Sequence, residues 1–271
     1  IVHTVHGAPF HPYQSPLARG LFRWCERYAG ARCHALVTVA DAMTELMVSA
    51  RVAPRDKFRK VYSGLDVDLF LRSNETRQEQ RRELGFRDEH VVIGKIARLY
   101  HLKGHDDLIK AAEAVVKQCP LARFLLVGDG ILREPLESKI RRANLEKYFH
   151  FTGLVSPQEI PAFIGAMDVL VHTSLREGLA RAIPQAFIAG KPVISYDIDG
   201  ASEVVKTGET GFLLRPGDIA GLVSSLHQLL ADADLRSRFG IVGRQQCAEK
   251  FCHQSMTRQL RGLYQELLAG K

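Results

Sequence analysis

The sequence predicts an α/β fold built on parallel, doubly wound sheets, and three observations predict it. Short apolar runs alternate with amphipathic helical patterns along the chain. From Val91 the alternation becomes regular: six strand-like runs separated mainly by helices, the pattern of right-handed crossovers in a parallel sheet. Glycines also stand just past the ends of strand runs, at Gly128, Gly153 and Gly178, which puts pliable loops at the sheet's carboxyl edge, where such folds bind ligands.

Taken in order, the first 65 residues give strand candidates at Ile1–Val5, Ala35–Val39 and Phe58–Tyr62, with helices at Leu17–Tyr28 and Asp41–Ser49. Three strands are few for an open doubly wound sheet, so the first of two Rossmann-like units is expected to be incomplete here. The chain opens in a strand without an initiator Met and reads as the downstream part of something longer. Ser63 to Asp66 is a turn, and the charge-dense Arg72–Arg82 stretch is expected as linker plus exposed helix. The second unit has strands at Val91–Ala97, Ala122–Val127, Phe149–Thr152, Val169–His172, Val193–Ser195 and Phe212–Leu214. Its helices are expected at Leu108–Lys117, Leu132–Arg142, Gln158–Met167 and Ala180–Ala189, and a terminal helix at Met256–Leu268. The expected organisation is 1–70 for the first unit, 71–88 for the linker and 89–250 for the second unit, with 251–271 packing back.

Composition narrows the function. A 46% hydrophobic content over 271 residues sustains a sizeable core, and no apolar run approaches the roughly 20 residues of a membrane helix. Five cysteines without a CxxC pair fit free thiols in a reducing compartment, hence a cytoplasmic protein. Of the net charge of +7, residues 1–60 hold +5, from nine Lys and Arg against four Asp and Glu, so an anionic partner is expected at the first unit. Arg19, Arg23 and Arg27, four apart, form a stripe on one helix that is either a solvated face or a dock for an anionic membrane surface. Nucleic acid is not expected, since no aromatics interleave with the charges.

Two stretches bring chemistry. Gly94-Lys95-Ile96-Ala97-Arg98-Leu99 ends one strand, and Lys103-Gly104 follows in its loop, so Arg98 and Lys103 sit at the carboxyl edge. Arg176-Glu177-Gly178-Leu179, after the Val169–His172 strand, leads into a helix whose free N–H groups suit a phosphate or sugar oxygen. Gln185 lies eight positions after Glu177, about two helical turns.

Together these stretches resemble the retaining GT-B glycosyltransferases of the family 4 type, the glycosyl transferases group 1. The resemblance implies that Arg98 and Lys103 grip the diphosphate of a nucleotide-sugar donor. It implies that Glu177 bonds the donor sugar, that the amides of Gly178 and Leu179 approach the phosphates, and that Gln185, where the family has a second Glu, faces the ribose. Gln keeps an acceptor oxygen of similar reach but loses the charge. Pro184 cannot sit inside an established helix, so the helix is expected to begin or kink there. Gly153 and Val155, by the same resemblance, face the base with their backbone, and His6, in Thr4-Val5-His6-Gly7, faces the donor sugar across the cleft. Gly128-Asp129-Gly130 needs only a tight turn.

The expectation is therefore a metal-independent transferase that moves a sugar from a nucleotide diphosphate to a glycan or lipid-linked acceptor with retention. It would work in the cytoplasm or at the inner face of the membrane, in cell-surface polysaccharide or glycolipid synthesis. No cofactor beyond the donor is implied, and neither Asp66-Val67-Asp68 nor Asp197-Ile198-Asp199 resembles a metal pair. His3 and His6, three apart on a strand, point to opposite faces and do not share an ion. The rival readings are a GT-B epimerase or phosphorylase and a nucleotide-binding lobe without catalysis.

Overall fold

The computed structural model describes residues 1–270. A three-stranded parallel sheet forms first, in the order β1 (Val2–Val5), β2 (Ala35–Thr38), β3 (Phe58–Lys60). Its crossovers are α1 (Pro16–Arg32) and α2 (Asp41–Ser49). Ser15 caps α1 by accepting the Ala18 amide at 3.3 Å, and Pro16 occupies the first turn, where its missing N–H costs nothing.

Two short helices, α3 (Val67–Leu71) and α4 (Arg77–Glu83), follow. The polar stretch expected as linker plus exposed helix is anchored instead. Arg77 donates to the carbonyls of Gly165 and Met167 and pairs with Asp168 at 2.6 Å, while Arg81 is buried with its guanidinium at the His90 carbonyl. Alternation of arginine and glutamate reads as solvated surface, and only the tertiary carbonyl partners show otherwise.

The second sheet is six-stranded and wholly parallel: β4 (Val91–Ile96), β5 (Ala122–Val127), β6 (Phe149–Phe151), β7 (Val169–His172), β8 (Val193–Tyr196) and β9 (Gly211–Leu214). Its order is β6-β5-β4-β7-β8-β9. The connections run outward one way from β4 and the other way from β7, so the strand order reverses between those two, and a crevice opens beyond their carboxyl ends. The covering helices are α5 (His105–Gln118), α6 (Arg133–Arg142), α7 (Ile160–Ala166), α8 (Ala182–Ile188), α9 (Ile219–Ala231) and α10 (Ala233–Cys247). The inner strands are largely buried on both faces and read as near-continuous apolar runs, which is why their limits are so visible in sequence.

The last helix, α11 (His253–Ala269), lies on the first sheet: Leu263 is buried with Ala35, Val37 and Val61, and Met256, Leu260 and Leu267 pack around them. Leu65 and Phe251 hydrogen-bond where the chain crosses back. Leu179 is the joint between the units, since it packs against both the core of the first sheet and the core beneath the second.

α1 corrects the expectation of a solvated arginine stripe. Arg23 stacks over the Phe10 ring, Arg27 donates to the Ala50 carbonyl at 2.7 Å, and the Nε atoms of Arg19 and Arg23 are buried. The solvent side is apolar instead, with Leu17, Leu21, Trp24 and Tyr28 on one stripe. The arginines reach inward because long aliphatic stems let a guanidinium find a carbonyl or a ring face.

Candidate active site at the strand-order reversal

The crevice is made by the loop after β4 and the loop after β7. In the first, Leu102 and Gly104 both adopt left-handed backbone, at φ 64. Gly104 is obligatory, because a Cβ there would lie 1.9 Å from the Thr173 carbonyl oxygen. Leu102 pays a steric penalty for the same turn, and its carbonyl receives the Leu175 amide at 2.8 Å. The two reversals throw Lys103 across the gap, where Nζ donates to Glu177 Oε1 at 2.5 Å.

Beneath this pair lies a buried polar layer. Lys95, fully buried at the end of β4, donates to Thr173 Oγ1 at 2.8 Å, and Thr173 in turn donates to the Gly104 carbonyl at 2.6 Å. Burial drives the Lys95 ammonium down to about 7, with Glu177 opposing the shift and Lys103 adding to it. His172 is buried with Nε2 3.6 Å from Glu177 Oε1, and burial holds it well below the ordinary imidazole range, so it is neutral beside that carboxylate. His105 is pushed down to about 4, chiefly by burial, and bonds the Arg98 carbonyl at 3.0 Å.

The Glu177 loop is held from the other side by Asp199. This non-glycine residue sits at φ 46 and accepts the Glu177 amide at 2.7 Å, and its own burial raises its carboxyl pKa. Gly178 is required by an approach rather than by a turn: a Cβ would come 2.1 Å from the His6 carbonyl of the first unit. Its carbonyl accepts the Gly200 amide at 3.0 Å.

The structure brings some of the expected residues together and separates others. Arg98, Lys103, Glu177, Gly178, Leu179 and the backbone of His6 meet at this crevice. Arg98 is exposed over the Tyr100 ring, 5.0 Å from its centroid, and makes no ion pair among the described residues. Gly153, at φ 73, bridges to Gly128 at the ends of β5 and β6, and Val155 packs on the core below. The helix expected from Ala180 is shorter: α8 starts at Ala182, which puts Pro184 in its first turn, where proline is tolerated. The amides of Gly178 and Leu179 thus belong to an irregular loop, not to a helix terminus, and Gln185 lies about one turn into the helix rather than two turns beyond Glu177.

Lys95, His172, Thr173 and Asp199 were not legible as site residues. A lysine inside an apolar run is one signal, since burying it requires a reason. Asp199 had no such signal, because its left-handed backbone shows only in three dimensions. Among the described residues, no cluster of three or more His, Cys, Asp or Glu side chains is placed to hold a metal, and no helix is long and apolar enough to cross a membrane.

Comparison with known proteins agrees with this architecture. The chain is 26% identical over 259 residues to an alpha-D-kanosaminyltransferase of Streptomyces kanamyceticus, covering 95% of this chain and 66% of that protein. It is 27% identical to the Escherichia coli UDP-Gal:alpha-D-GlcNAc-diphosphoundecaprenol alpha-1,3-galactosyltransferase, over 86% of this chain and 60% of that one. The chain therefore spans somewhat less than two thirds of these relatives. Anabaena HepE in complex with UDP-glucose superposes with a TM-score of 0.88 at 24% identity, covering 98% of this chain and 72% of the other, which fixes the fold as that of GT-B glycosyltransferases. The family description "Glycosyl transferases group 1" matches residues 76–246, a span that contains both loops of the crevice, and the chain belongs to that family.

Proposed function

We propose that the protein transfers a sugar from a nucleotide-diphosphate donor to a glycan or lipid-linked acceptor, with retention of anomeric configuration and without a metal. The observation that supports this reading best is the Lys103–Glu177 pair where the strand order reverses, with Arg98 on the same loop as Lys103. As the bond from the anomeric carbon to the diphosphate oxygen breaks, its electron pair stays on the diphosphate. Arg98 and Lys103 offer fixed positive charge to receive it, so the role that a divalent cation fills elsewhere falls to two side chains. The acceptor hydroxyl forms the new bond and gives its proton to the departing phosphate oxygen.

In this scheme Lys103 exchanges part of its bond to Glu177 for the donor phosphate, which frees the carboxylate for the sugar hydroxyls. His6 approaches the sugar from the opposite wall, Gly153 and Val155 offer backbone to the base, and Gln185 meets the ribose. The 1–70 unit supplies the acceptor wall, 89–250 binds the donor, and 71–88 and 251–271 tie the two together. Transfer onto a lipid-linked acceptor would take place at the cytoplasmic face of a membrane. The Escherichia coli relative is named for a UDP-Gal donor and a diphosphoundecaprenol-linked acceptor, and Anabaena HepE is complexed with UDP-glucose, which supports this reading.

The test is an assay of labelled sugar transfer from UDP-sugars in excess chelator, with anomeric configuration read by NMR. Turnover with the anomer retained is the expected result. Chelator-abolished activity restored by manganese or magnesium would overturn the metal-free mechanism.

A further inference from the structure

A cavity of about 210 Å³ lies between the two units on the far side of Glu177. Glu177 and Asp199 form one wall, and Arg176, His11, Tyr13 and Arg19 form the others. Neither Arg98 nor Lys103 lines it, so it is distinct from the diphosphate seat.

Its charges are unequally satisfied. Glu177 is paired with Lys103, and Asp199 already accepts the Glu177 amide. The guanidiniums form no salt bridge among the described residues, and Arg176 acts on Asp199 only at longer range. Arg176 donates to the Ala8 carbonyl, and neither Arg176 nor Arg19 makes an ion pair among the described residues. Arg19 Nε and His11 Nδ1 are buried without a hydrogen-bond partner, and buried polar atoms of this kind are uncommon unless something other than the protein meets them. The His11 imidazole is held below its ordinary range by burial and then by Arg176 and Arg19, which reports positive potential at this spot.

We propose that this cavity is the acceptor subsite, and that it takes a hydroxylated acceptor carrying an oxyanion, a phosphate ester or a carboxylate, between Arg19 and Arg176. The inference rests on the transferase reading above. Two guanidiniums lining one cavity present planar donor pairs to such a group. Because Glu177 is common to the cavity and the donor site, a hydroxyl on the acceptor's other end lies beside the donor sugar. The aromatic ring of Tyr13 gives the sugar-like portion a flat surface. An amine in place of that oxyanion would meet Arg19 and Arg176 instead of an acceptor and is disfavoured there.

Glycerol 3-phosphate, L-malate, glycerol and 2-deoxystreptamine titrated into the 271-residue chain saturated with UDP test the assignment. Both anions, or one of them, should bind, which also tells phosphate ester from carboxylate; glycerol and the diamine should not. Arg19→Gln and Arg176→Gln should each weaken the anion by about tenfold or more, the loss of one charged hydrogen bond, with UDP affinity unchanged. The unchanged UDP affinity shows that the variants are folded. Anion binding that survives both substitutions, that equals glycerol's, or that UDP displaces would overturn the proposal. A chain that fails to bind UDP instead refutes the donor reading, whereas UDP binding without anion binding refutes the subsite alone.

Discussion

Lys103 and Glu177 are joined at 2.5 Å across the crevice although 74 positions separate them in the chain. Each was expected to face a different part of the donor, and in the structure each satisfies the other. Both are about four-fifths buried, so the pair is better shielded than an ordinary surface ion pair. On the proposed reading, donor binding is an exchange of partners.

The exchange has a measurable signature. Arg98→Ala removes an exposed cation and should weaken UDP by about 1.5–3 kcal/mol, the usual loss of a charged hydrogen bond, without changing the melting temperature. Lys103→Ala should weaken UDP by a similar amount and also lower the melting temperature, because Glu177 is left unpaired. Calorimetry and thermal unfolding on the two variants separate these roles; equal melting temperatures would show that the ion pair contributes nothing to the fold.

Stability should rise with pH above neutrality. Lys95 and Lys191 both titrate at about 7 in the native state against an ordinary 10.5, each because of burial. Between these values the unfolded chain holds protons that the native chain does not, so unfolding becomes harder as pH increases. The penalty is complete below pH 7 and fades towards 10.5, at up to about 1.4 kcal/mol per pH unit for each group. Melting temperatures from pH 7 to 9 should climb, and Lys95→Met should remove that residue's share while leaving that of Lys191. A flat or falling profile would mean that Lys95 stays charged.

Gly178→Ala should separate the two units. The added methyl would collide with the His6 backbone carbonyl, which no side-chain rotation relieves. The expected cost is about 1–3 kcal/mol, as for overpacking a close contact, with faster hydrogen exchange on both sides of the contact. Alanine at 178 with wild-type stability would show that the loops part freely.

Gln185→Glu restores the residue usual in the family, and UDP affinity should stay level or rise modestly. Competition between UDP and its 2′-deoxyribose analogue in the two proteins shows whether the position reads the ribose. A loss of affinity on restoring Glu would mean that Gln185 has taken another role.

The parallel strands were readable to within about two residues because the central ones are buried on both faces and read as apolar runs. Arg98, Lys103 and Glu177 were readable because short signatures flank them. Lys95, Thr173 and Asp199 were not, since their importance lies in which loops they tie together, and each of those ties spans 22 or more positions. The arginine stripe on α1 was misleading for a related reason. Helical spacing tells which residues share a face, but the partners that decide whether the face turns inward, Phe10 and the Ala50 carbonyl, come from elsewhere in the chain.

Leu179 packs into both cores and stands two residues from Glu177. A hinge motion that widens the cleft must therefore drag or release this side chain, and the backbone that bears the carboxylate goes with it. Cleft width and carboxylate position form one mechanical coordinate, so closure over a donor would itself aim Glu177.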